Sequence, residues 1–212
     1  MFKKLWMLCL CSPLFAIAGS DFEDLLPVPE SLVTCMVCHG SQLMGSEGTR
    51  APRLLGLQPW YLRNQIDAFK KGWRGVHEDD VTGYEMLPVA QSITPEMLEE
   101  AINFIARATA PLPDKTIDGD PISGEKLYTQ CAACHGASGE GNEALGAPRL
   151  TGLNDWYIST QLNYFKSGVR GGDPENTNGV IMASAAQSLS DDKMIADVTA
   201  YISSLQQLTI GK

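Results

Sequence analysis

Basic residues, histidines and long apolar runs are all scarce in this chain. Lysine and arginine number 16 against 25 aspartates and glutamates, a formal charge of −9. So acidic a protein is a poor ligand for nucleic acid or anionic lipid, and a basic protein partner suits it better. No segment beyond the N-terminal one is long and apolar enough to cross a membrane, and no convincing strand pattern occurs. Of three histidines, only His77 stands outside a cysteine motif. No cluster of candidate acids and bases flanks either motif, which argues against a catalyst. An apolar fraction of 44% excludes a disordered chain. The 212 residues fit one medium domain or two small ones, and two small ones would each need a staple such as a metal, a disulfide or a large cofactor.

The N-terminal stretch MFKKLWMLCLCSPLFAIAGS has Lys3 and Lys4, an apolar run from Leu5 to about Phe15, then Ala16-Ile17-Ala18. A basic start, a short greasy segment and an A-x-A site read as a secretory signal peptide, residues 1–18. The run is too short for a comfortable membrane anchor, and no lipoprotein box precedes Cys9 or Cys11. Cleavage removes both cysteines and, with the two lysines, takes the charge from −9 to −11.

Sliding the chain on itself by 96 residues aligns Cys35, Cys38, His39 and Gly40 with Cys131, Cys134, His135 and Gly136. APRLLGLQPWY then meets APRLTGLNDWY, and Arg74-Gly75 meets Arg170-Gly171. Of the 72 pairs from Cys35 to Ala106, 25 are identical without a gap, so the domain is duplicated. The stretch TAPLPDKTIDGDPI, residues 109–122, reads as a linker, with domains over 19–112 and 113–212. Apolar spacing and stop glycines predict helices in WYLRNQIDAFKKG and WYISTQLNYFKSG. Capped helices follow in TPEMLEEAINFIARA and SDDKMIADVTAYISSL. A helix ISGEKLYTQCAAC leads into the second motif, and the lead-in of the first looks shorter.

C-x-x-C-H is the attachment site of c-type haem: both thiols add to the vinyl groups and the histidine reaches the iron. A thioredoxin-like pair or half a zinc site are the other readings. The first has no need of a following histidine or a second copy, and the second would draw ligands from different domains. Two covalently bound haem c groups are therefore expected, on Cys35, Cys38, Cys131 and Cys134, with His39 and His135 as proximal ligands. Met86 lies 47 residues after His39, and Met182 lies 47 after His135. Both follow glycine-bearing loops and precede the last helix of their copy. They are the candidates for the sixth ligand, which favours reduced iron and fills the site. Met36, Met44, Met97 and Met194 have no partner under the shift and read as core filler. Pro52 and Pro148 are candidates for the carbonyl that takes the other N–H of each ligating histidine, a plain turn proline being the alternative. Arg53 and Arg149 are candidates for the haem propionates, or are simply solvated. Trp60, Tyr61, Trp156 and Tyr157 are expected to wall the haem pockets, although helix packing explains them nearly as well. His77, opposite Asp173, reads as an exposed loop histidine.

On CMVCHG, APRLLGLQPWYLRNQ and the Met86 region, and on GEKLYTQCAACHG, APRLTGLNDWYISTQ, FKSGVRGG and IMASAAQSLSDDKMIADVTAYISSL, the chain resembles the cytochrome c4 family of dihaem class I cytochromes c. The likeness covers nearly all of the chain after residue 18. It implies an all-α fold of two small cytochrome domains about a pseudo-twofold axis, each wrapped round one covalent haem. It implies a periplasmic carrier that passes electrons to a terminal oxidase, at times loosely held at a membrane. Cys35, Cys38, His39 and Met86 would serve one haem, and Cys131, Cys134, His135 and Met182 the other. The shortened acidic lead-in DFEDLLPVPESLV and the acidic loop HEDD depart from the family pattern. A cytochrome subunit that accepts electrons from a partner dehydrogenase would have the same sequence features. A dihaem redox enzyme would need an open or unusual iron site, which the matched methionines disfavour.

Overall fold

The computed structural model describes residues 27–108 and 110–208. The expected signal peptide, with Cys9 and Cys11, and the first part of the acidic lead-in lie outside the described residues.

Three short 3₁₀ turns and eight α-helices make up the architecture of the described residues, with no strands. In the first half these are α1 (Val33–His39), α2 (Pro59–Lys70), α3 (Val81–Ser92) and α4 (Pro95–Ile105). In the second they are α5 (Pro121–His135), α6 (Asp155–Ser167), α7 (Thr177–Ala186) and α8 (Asp192–Leu208). Proline opens α2, α4 and α5 at the first turn, where its missing N–H costs nothing. The Thr94 hydroxyl caps α4 by accepting from Met97 N, and the Asp120 carboxylate caps α5. Gly168, at φ +81°, closes α6. The one extended pairing in each half sits at the same place: Ser46 with Ala51, and Asn142 with Ala147.

Two helices go beyond the sequence reading. Met86 and Met182 each lie inside a helix, α3 and α7, rather than after a loop. Their periodicity is weak because each carries glycine near its start, and α3 also contains Pro88. What starts them is a matched cap. The Asp80 side chain accepts from Gly83 N at 3.0 Å, and the Asn176 side chain accepts from Gly179 N at 3.1 Å.

Each half has its own core. Leu32, Leu43, Leu55, Ile102 and Phe104 centre the first, and Tyr128, Leu189, Ile195, Val198 and Ile202 the second. The lead-in to the first motif is indeed short: a 3₁₀ turn, Glu30–Leu32, runs straight into the seven residues of α1. Its counterpart α5 has fifteen and crosses α8 closely. A Cβ on Gly124 would stand 2.0 Å from the Asp197 carbonyl oxygen, so only glycine permits that crossing.

The connection between halves is pinned by Asp155 at the first turn of α6. Its carboxylate accepts from Thr116 N at 2.6 Å, Thr116 Oγ1 at 2.7 Å, Ile117 N at 2.9 Å and Trp156 N at 2.7 Å. Burial pushes this carboxyl up, but the bonds from Ile117, Thr116 and Trp156 outweigh it and hold it below its ordinary value. A depressed carboxyl supplies stability that is fully present above its unfolded-state value, about 4, and is lost as pH falls through the folded-state value. Asp155→Asn turns an acceptor-only group into one with two N–H donors, facing three backbone N–H groups and one hydroxyl. We expect it to cost about 2–3 kcal/mol in denaturant unfolding near neutral pH. The gap between variant and wild type should shrink as the pH is taken below about 4.

Candidate functional site

In the first half, Cys35, Cys38, His39, Pro52 and Met86 line one cavity of about 1460 Å³, counted out to its open mouth. The rest of its wall is mostly apolar, from Leu32, Leu54, Leu62, Ile66, Phe69, Leu98 and Ile102. Tyr61 lines it too, as do Tyr157 and Gln161 of the second half. The cavity is therefore completed across the boundary between halves. Trp60 is not in its wall and instead packs edge-on against Tyr61, with centroids 5.7 Å apart, an arrangement repeated by Trp156 and Tyr157 at 6.1 Å.

Among the described residues the four motif cysteines form no disulfide, and burial pushes the Cys35 and Cys131 thiols up. His39 Nδ1 lies 2.7 Å from the Pro52 carbonyl oxygen, and His135 Nδ1 lies 2.8 Å from that of Pro148. A carbonyl can only accept, so Nδ1 carries the proton and Nε2 keeps a lone pair. Burial lowers both imidazoles, and the carbonyls only partly offset it. Each ring is thus held neutral, in one tautomer, with a bare nitrogen to offer a metal. In the second half Met182 and Cys131 each pack against the core.

Close backbone approaches fix this geometry. Gly40 and Gly136, directly after the histidines, take φ of +74° and +82°. Gly75 and Gly171 take +75° and +81°, and a Cβ on either would stand 2.3 Å from the carbonyl oxygen of Gly83 or Gly179, at the start of the methionine helix.

Where the halves meet, two arginines converge. Arg74 donates to Gln65 Oε1 at 2.8 Å. Arg170 donates to the same oxygen at 2.7 Å, to Gln161 Oε1 at 2.6 Å and to the Tyr61 hydroxyl at 3.2 Å. Each guanidinium lies over a phenylalanine, Phe69 at 4.4 Å and Phe165 at 4.5 Å. Both arginines are buried, and among the described residues neither is in an ion pair with a carboxylate. Burial raises the Tyr157 phenol, yet Arg74 and Arg170 together bring it below its ordinary value. Arg74 Nε is buried without a hydrogen-bond partner and Arg74 lines the cavity. An orphaned donor on a buried cation, set in an apolar cavity with two thiols and a bare imidazole nitrogen, fits an anionic, iron-bearing macrocycle such as haem.

Arg53 has other partners than the propionates expected for it. Its guanidinium is spent on the carbonyls of Leu55, Pro111 and Ala110, and Arg149 is exposed. His77 is exposed, 3.8 Å from Asp79, and away from the cavity wall. Arg74, Arg170, Gln65 and Gln161 belong to no motif, and their one signal in the sequence is that each pair is identical under the 96-residue shift.

Gly75→Ala adds a Cβ to a left-handed residue and drives it into the Gly83 carbonyl. We expect a loss of about 2–4 kcal/mol in denaturant unfolding, with haem absorbance of the first half changing before that of the second.

The chain is similar to known proteins in sequence and in fold. A family model described as cytochrome c matches residues 122–206. The thiosulfate dehydrogenase electron acceptor of Stutzerimonas stutzeri (strain A1501) is 29% identical over 195 residues, 85% of this chain and 82% of that protein. Cytochrome c4 of Thiocapsa roseopersicina is 32% identical over 185 residues, 82% of this chain and 88% of its own. The solved cytochrome c4 of Acidithiobacillus ferrooxidans superposes with a TM-score of 0.63 at 28% identity, over 82% of this chain and 99% of that one. The chain belongs to the cytochrome c4 family of electron carriers: it is an all-helical protein of two tandem cytochrome c domains that carries two covalently bound haem c groups.

Proposed function

We propose that the protein is a periplasmic dihaem carrier of a respiratory chain, exported by residues 1–18 and delivering electrons to a terminal oxidase. Its haem domains are taken as residues 19–112 and 113–212. The observation that carries this reading is the matched placement of the two histidine–methionine pairs. His39 with Met86, and His135 with Met182, share one spacing, and both methionines ride on helices started by the same cap.

Each haem c, when bound, supplies an iron that exchanges one electron. Cys35 and Cys38, and Cys131 and Cys134, would tether the two groups by thioethers. His39 and His135 would hold the iron through Nε2, the ring oriented by the Pro52 and Pro148 carbonyls. Met86 and Met182 would add a thioether, which favours reduced iron. Arg74 and Arg170 supply the positive charge that haem propionates require at the boundary between halves. With 25 acidic residues against 16 basic ones, the surface steers the carrier toward a basic patch on its partner.

A second reading has support in the likeness to the thiosulfate dehydrogenase electron acceptor. In it, the chain is the cytochrome subunit of a dehydrogenase and takes electrons from the partner's cofactor. A stable complex with a dehydrogenase on purification from the native host would favour this reading; a free monomer with rapid oxidase turnover would favour the first. A dihaem redox enzyme is the least supported, because it needs one open iron site.

The far-red methionine–iron band of the oxidised holoprotein should report two ligated methionines per chain. Met86→Ala and Met182→Ala should each remove about half of it and lower the potential of their own haem. A wild type with half the band or none would refute the carrier reading and restore the enzyme. Separately, the rate of electron transfer to a basic acceptor should fall about tenfold or more from ~0.01 M to ~0.15 M ionic strength. A rate indifferent to salt would rule out acidic steering.

A further inference from the structure

Gln58 and Asn154 hold the same place under the 96-residue shift, the N-cap of α2 and of α6. An N-cap side chain ordinarily accepts from its own helix. Neither does so here. Asn154 Oδ1 instead accepts from Arg53 N, in the other half, at 2.8 Å. Gln58 Oε1 accepts from Arg149 N, again in the other half, at 2.8 Å. Those two N–H groups belong to the Pro52–Arg53 and Pro148–Arg149 peptides, the same peptides whose carbonyls hold His39 at 2.7 Å and His135 at 2.8 Å. Space for the approach is kept by a glycine at the same position in each half. A Cβ on Gly45 would stand 2.4 Å from Asn154 Oδ1, and one on Gly141 would stand 2.5 Å from Arg149 N.

The two ends of an amide polarise together. An acceptor on the N–H strengthens the carbonyl as an acceptor, which draws the imidazole Nδ1 proton further and makes Nε2 a stronger donor. A stronger donor favours oxidised iron. We propose that Asn154 and Gln58 are positioning residues that tune, each through one peptide, the haem of the opposite domain. Asn154 lowers the potential of the first haem, and Gln58 lowers that of the second. The inference rests on the reading of His39 and His135 as axial ligands.

The test is a redox titration of the holoprotein with the two haems resolved by their hyperfine-shifted proton resonances. Asn154→Leu should raise the first haem by a two- to fivefold change in its oxidised-to-reduced ratio, about 20–40 mV at 59 mV per tenfold. The second haem should hold within a factor of 1.5. Gln58→Leu should do the reverse. Asn154→Gln should restore the wild-type potential, since a glutamine already does this task in the other half. Potentials that stay put in both leucine variants, or that move together, overturn the relay. If a leucine variant fails to hold its haems, Asn154→Ser carries the same test, because its shorter side chain leaves Arg53 N without its acceptor. Failure of the underlying reading looks different: wild-type spectra without shifted His39 and His135 ring protons would overturn the ligation, and the relay with it.

Discussion

One hydrogen bond organises each half: imidazole Nδ1 to the backbone carbonyl thirteen residues further on. Because a carbonyl only accepts, this bond chooses the tautomer and aims the bare Nε2. The carbonyl must also arrive in register. A slip of one residue would turn the peptide over and present its N–H side. The loop between is accordingly over-determined. It is closed by the Ser46–Ala51 and Asn142–Ala147 pairings. Gly45 N and Gly141 N donate back to the His39 and His135 carbonyls at 2.7 and 2.8 Å. The tether, the ligand and the turn are one unit, which explains why so short a motif can seat so large a cofactor.

The boundary between halves follows from charge. Arg74 and Arg170 lie 2.8 and 2.7 Å from a single glutamine oxygen. At an effective dielectric of about 20, two unit charges that close repel by roughly 3 kcal/mol. Without an anion this would be a poor place to join two domains. Stacking on Phe69 and Phe165 and the bond to Tyr61 offset part of the repulsion. Haem propionates would supply the rest, so that loading the cofactors and docking the halves become one event.

Much of this was legible in the residues. The motifs, the duplication and the proline carbonyl follow from local chemistry and from one repeat length. The helices of α2, α4, α5 and α8 follow from periodicity and caps. What stayed out of reach has two physical causes. The helices carrying Met86 and Met182 have glycine, proline and small residues where periodicity needs apolar ones, so tertiary packing and a single Asx cap create them. The partners of Arg170 depend on how the two halves face each other, those of Arg53 on how the linker folds back, and spacing along one chain carries no such information. Arg53, beside the proline, looked closer to the haem than Arg74, yet it reaches the linker carbonyls while Arg74 reaches the cavity.

The duplication also separates what the sites need from what merely supports them. The motif cysteines and histidines, Met86 and Met182, Pro52 and Pro148, and the paired arginines are identical in both copies. The supports differ. Tyr128 ties its hydroxyl to the Gly136 carbonyl at 2.8 Å, whereas its counterpart Leu32 only fills the core. Asp155 anchors the linker, and its counterpart Pro59 cannot. One motif hangs from a fifteen-residue helix, the other from seven. Identical ligands in unequal surroundings would give unequal potentials, because hydrogen bonding and burial tune an iron as its ligands do. Two copies that share their motifs and differ in their supports would then be two steps, and two unequal steps would pass an electron more readily one way than the other.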